Sequence, residues 1–160
     1  MQHTISVWVR NEFGVLSRVV GMFSGRGYNI DSLSVAPTLD EEVSHMTLVT
    51  HGDDDTIEQI TKQLHKLIDV ITVKDHRDGE FVGRELALLT VEPPPEARAE
   101  VFRIAEIFRG KIVDVGQKSL TIEVTGKQDK IDAMTRLLEP LGLQSRVRTG
   151  PLAVARGSAR

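Results

Sequence analysis

The chain has 160 residues, with 20 Lys and Arg against 23 Asp and Glu, a formal charge of −3 and 40% hydrophobic residues, an ordinary globular balance. Mild acidity disfavours a general nucleic-acid binder, and the lack of cysteine excludes disulfides, thiolate metal sites and a cysteine nucleophile. Apolar runs such as Leu86–Leu89 are too short for a bilayer span or a signal-peptide core, so a cytoplasmic location is expected.

Thr4 to Arg10 alternates, with Ile5, Val7 and Val9 on one face and Thr4, Ser6, Trp8 and Arg10 on the other, which predicts a half-buried strand. Asn11-Glu12-Phe13-Gly14 breaks it. Val15, Leu16, Val19, Val20 and Phe23 then share a helical stripe that stops at Gly25-Arg26-Gly27. Residues 30–36 and Val43 to Thr50 read as the second and third strands. Asp53, Asp54 and Asp55 are N-cap candidates, and Asp55 with Glu58 has capping-box spacing. Ile57, Ile60, Leu64 and Leu67 define a second amphipathic helix, and Val70 to Val73 a β-branched strand.

Residues 77–83 have turn composition and read as a linker. The same order then recurs. Leu86 to Val91 is a strand; after Pro93, Pro94 and Pro95 comes a helix striped with Ala97, Val101, Ile104, Ala105 and Phe108, with Gly110 at its expected C-terminal cap. Ile112 to Val115 and Leu120 to Val124 form a hairpin through Gly116, Ile131 to Leu141 a helix, and Leu143 to Arg148 a last strand. The expected fold is α+β, two tandem ferredoxin-like βαββαβ domains spanning 1–76 and 84–160. After Glu139 the only charges are Arg146, Arg148, Arg156 and Arg160, a basic end suited either to an acidic partner or to plain solvation.

Catalytic chemistry finds little support. His3, His45, His51, His65 and His76 lack ligand-like spacing, so no metal site is expected. Gly25-x-Gly27 follows a helix rather than a strand, unlike a dinucleotide fingerprint. The central strands lack the aromatic residues that RNA stacking needs. What stands out is Asn11–Arg18, where a strand passes through a glycine turn straight into a helix. Free N–H groups and the dipole at a helix start attract a carboxylate, and Gly14 lets one approach. Asn11 and Asn29 offer polar groups, with Leu16 and Ile30 as apolar walls, which suits a small aliphatic zwitterion. Most such turns are simple caps, so the residues alone favour that reading and leave binding open.

The stretch NEFGVLSRVVGMFSGRGYNIDSLSV, from Asn11 to Val35, resembles the signature of the ACT regulatory domain in the small subunit of acetolactate synthase (acetohydroxyacid synthase). Lys62 to Val73 and Ile107 to Val115 are similar to the same family. The resemblance implies a non-catalytic subunit that binds and activates a large catalytic subunit and confers feedback inhibition by valine in branched-chain amino-acid biosynthesis. Thiamine diphosphate, FAD and magnesium would belong to that partner, with no cofactor in this chain. It also implies a homodimer through the ACT domains. Valine would sit between Asn11, Gly14, Val15 and Leu16 of one chain and Asn29 and Ile30 of the other. Phe13 departs from the polar residue expected in that loop. The rivals are a free-standing amino-acid sensor that controls another enzyme or a transcription factor, and a small hydrolase, which lacks any convergent nucleophile–base pair.

Overall fold

A computed structural model describes residues 1–157; Arg160 and the end of the expected second domain lie outside the described residues. The chain divides into two compact units, Met1–Val82 joined by the segment from Leu152 onward, and Gly83–Pro151.

In the first unit, β1 (Gln2–Arg10), α1 (Val15–Gly25), β2 (Ser32–Pro37), β3 (Val43–His51), α2 (Asp54–His65) and β4 (Val70–His76) follow in chain order. The sheet runs β2-β3-β1-β4, with every neighbouring pair antiparallel. The alternation of β1 has its expected consequence. Ile5, Val7 and Val9 are buried together with Val15, Val19 and Phe23 of α1 and Ile57, Ile60 and Leu64 of α2. Burying one such side chain contributes about 1.5–3 kcal/mol. The start of α2 differs from expectation. Asp53 is the cap, accepting from the Thr56 N–H at 2.8 Å, while Glu58 turns to Lys62 one turn on at 2.6 Å. Accepting from Thr56 and pairing with Lys62 hold the Asp53 and Glu58 carboxyls below their usual range.

The second unit contains most of β5 (Phe81–Val91), followed by a 3-10 turn at Pro95–Ala97 and α3 (Arg98–Ile107). Next come β6 (Lys111–Val115), β7 (Leu120–Gly126), α4 (Gln128–Leu138) and β8 (Leu143–Arg148). Its sheet order, β6-β7-β5-β8, repeats the first, so both units have the ferredoxin-like α+β arrangement. Ala87, Leu89, Val91, Leu120, Ile122 and Val124 pack beneath α3 and α4.

Three local expectations change. β5 starts at Phe81, inside the stretch read as a linker. The left-handed residue after α3 is Arg109, at φ 56°, and not Gly110. Gly110 is needed for space, since a Cβ there would stand 2.9 Å from Ile122 Cγ2. A ninth strand, β9 (Leu152–Ala155), pairs with β5; the Arg156 N–H donates to the Glu80 carbonyl at 2.9 Å and the Ala153 N–H to Thr47 Oγ1 at 3.4 Å.

The basic end is partly spent within the second unit. Arg148 pairs with Asp132 at 2.8 Å and with the buried Glu85, and Arg146 lies 3.7 Å from Asp132. Burial works against the Arg148 charge, but hydrogen bonds to Asp132 and Glu85 outweigh it and raise its pKa.

Candidate functional site

β1 delivers Asn11 to the mouth of the first unit, where its N–H donates to the Glu42 carbonyl at 2.8 Å. Its side-chain Nδ2 donates to the Glu41 carbonyl at 2.9 Å, which fixes the amide and leaves Oδ1 as an acceptor. Gly14 caps α1 at φ 84°, a left-handed conformation that suits glycine. No side chain caps this helix and no acid lies in its first turn, whereas α2 has Asp53 as its cap and Asp54 and Asp55 behind it. The start of α1 is therefore left positive, with N–H groups to offer.

Arg18 reinforces that charge. One helical turn after Gly14, it reaches back so that its Nη1 lies 3.1 Å from where a Gly14 Cβ would stand. Its Nε donates to Asp69 Oδ2 at 2.7 Å. Asp69 is itself fixed, with a side chain only 7% exposed and a carbonyl that accepts the Arg10 N–H at 2.9 Å. A cation beside the positive end of a helix is unfavourable by itself; Asp69 offsets it on one side.

Of the expected site residues, Leu16 is exposed, while the Val15 side chain is buried in the core and its N–H donates to the Glu12 carbonyl at 3.4 Å. Phe13 is fully exposed. Asn29 and Ile30 lie elsewhere. The Asn29 carbonyl accepts from Thr50 Oγ1 at 2.6 Å, and its Nδ2 donates to Asp31 Oδ1 at 2.9 Å. Thr50 pairs with His3 at the start of β1, whereas Asn11 follows the Arg10–Val43 pair at the far end. With about 3.4 Å per residue, the two half-sites of one chain are roughly 25 Å apart. One chain cannot bring them onto a single small ligand.

Among the described residues, no group of His, Asp and Glu has the arrangement of a metal site, and no helix is long and apolar enough to cross a membrane.

Residues 5–72 match the family described as AHAS small subunit-like ACT domain, and residues 84–157 the family described as small subunit of acetolactate synthase. The acetolactate synthase small subunit of Aquifex aeolicus is 52% identical over 97% of this chain and 81% of its own length. The probable acetolactate synthase small subunit of Archaeoglobus fulgidus is 46% identical over the full length of both. The crystal structure of the acetolactate synthase small subunit from Thermotoga maritima superimposes with a TM-score of 0.89 at 38% identity, covering 98% of each chain.

Proposed function

The chain belongs to the acetolactate synthase small-subunit family, a non-catalytic regulatory subunit whose partner is a large catalytic subunit, and from that premise we propose that it activates this partner and confers feedback inhibition by valine. The observation that carries the reading is the bare start of α1, with Gly14 at its cap, Asn11 oriented and Arg18 beside it. A ligand carboxylate completes this arrangement. Its ammonium group suits amide and carbonyl oxygens such as Asn11 Oδ1, and a branched aliphatic side chain suits Leu16 and Ile30.

The roughly 25 Å between the half-sites favours a homodimer through the ACT units, with Asn11, Gly14, Val15 and Leu16 of one chain facing Asn29 and Ile30 of the other. The outer edge of β2 also needs cover. Thiamine diphosphate, FAD and magnesium are assigned to the large subunit. The test is calorimetric titration with the branched-chain amino acids, alongside sedimentation and pull-down of the large subunit. Heat from valine, a dimer and capture of the large subunit are expected. A monomer at micromolar concentration that gives no heat with valine would overturn the reading.

A further inference from the structure

Three polar side chains from three strands meet in the first unit. Ser6 on β1 is completely buried, and its Oγ lies 2.7 Å from His76 Nε2 on β4 and 3.0 Å from His45 Nε2 on β3. His76 is only 6% exposed, and its Nδ1 is buried with no hydrogen-bond partner. His45 is half-buried, with its ring against the edge of Trp8 at 4.9 Å.

The hydroxyl has one proton, so it donates to one ring and accepts from the other. A buried N–H without an acceptor costs more than a bare ring lone pair. His76 therefore keeps Nδ1 unprotonated and donates from Nε2 to Ser6. Ser6 donates to His45 Nε2, and the His45 proton sits on Nδ1. Taking up another proton breaks this order. A proton on His76 Nδ1 has no acceptor, and a proton on His45 Nε2 opposes the Ser6 hydroxyl. We propose that Ser6, His45 and His76 form an acid-sensitive latch joining β1, β3 and β4, closed while both rings are neutral and opened by protonation.

The surrounding charges are mixed, and burial outweighs them. On its own strand His76 feels Lys74, which opposes its protonation, and Asp75, which favours it; from β3 it feels His45, and from β5 it meets the Phe81 ring. Asp75 is shared with His3 at 3.4 Å. The groove beside His76 brings in Arg77 and Asp78, and from α2 Asp54 and the Lys62–Glu58 pair. Burial is the main cause holding both histidines below the ordinary 6.5, followed for His76 by Lys74 and His45. A histidine with a lowered folded-state pKa contributes stability that is complete above the unfolded value and is lost as pH falls through and below it. The stability that the latch contributes thus begins to fall as pH drops below about 6.5, and the rings of the folded protein take up protons lower still.

The experiment uses the full chain. Nitrogen-15 imidazole NMR near neutral pH is expected to show His76 protonated at Nε2 and His45 at Nδ1, with His76 titrating below the ordinary histidine midpoint. Melting temperature is followed from about pH 7.5 to about pH 5 for the wild type and for His45→Gln/His76→Gln. The wild type is expected to lose at least about 4 °C more than the variant over that range. Equal losses overturn the proposal, as do reversed tautomers or an ordinary His76 midpoint. Should the double variant not fold, the tautomers and titration of the wild type decide.

Discussion

Gly14→Asp should abolish valine inhibition while the small subunit still activates its partner, and Gly14→Ala separates the causes. At φ 84° any Cβ is strained, at about 1–2 kcal/mol for an ordinary residue and less for Asp, which tolerates the left-handed region better. The new Cβ also meets Arg18 Nη1 at 3.1 Å, a flexible tip that can shift by a few tenths of an ångström. Gly14→Ala should therefore melt about 4–16 °C below wild type. Gly14→Asp should melt higher than that, since its carboxylate lies within reach of Arg18. That same carboxylate occupies the place proposed for the effector's own. Losing a charge-assisted hydrogen bond costs about 1.5–3 kcal/mol, so valine affinity should fall by about 10- to 150-fold, more with repulsion added. The assay is valine titration of the reconstituted enzyme, with melts of the isolated small subunit. Wild-type inhibition by Gly14→Asp would show that this loop is not the effector site. Equal losses in the two variants would make shape, not charge, the cause. A collapsed melt without activation would make Gly14 purely structural.

Asp69→Asn removes the charge that holds Arg18 while its carbonyl keeps Arg10; with Arg18 half exposed, about 1 kcal/mol is expected, together with weaker valine binding in calorimetry. Unchanged binding would separate Arg18 from the effector. Arg148→Ala strands Glu85, whose side chain is 1% exposed, and should cost the second unit about 3–5 kcal/mol in denaturant unfolding. A loss under 1 kcal/mol would mean that solvent already screens the pair. Gly142→Ala combines φ 98° with a Cβ driven into the Glu92 carbonyl group and should cost at least about 2 kcal/mol, read as a lower melting temperature of the second unit.

The βαββαβ order of each unit was legible because its strands alternate and its helices carry full apolar stripes; Ile5, Val7 and Val9 against Val19 and Phe23 already describe a core. What was not legible depends on partners far along the chain. β9 is only four apolar residues after Pro151, a run with no signal until Ala153 is seen to meet Thr47. Three consecutive aspartates have equal capping propensity, and only the geometry at Thr56 selects Asp53. In the candidate site, Asn11 and Gly14 stood out as turn chemistry. The resemblance also brought in Val15, whose place in the α1 stripe already marked its side chain as core. Arg18 was within reach of the sequence, at one helical turn from Gly14. Asp69, 51 residues further along, was not.

The return of the chain through β9 bears on how this protein is made. Because the first unit takes in residues from Leu152 onward, its last segment leaves the ribosome only after the whole stretch Gly83–Pro151. Adding those roughly 70 residues takes about 4–14 s at typical elongation rates, far longer than a helix or hairpin needs to form. Throughout that interval Thr47 and the Glu80 carbonyl wait for Ala153 and Arg156, while the second unit is free to fold. The unit that begins first is thus the one finished last, and a nascent chain interrupted in the second unit is released without the segment that meets Thr47 and Glu80.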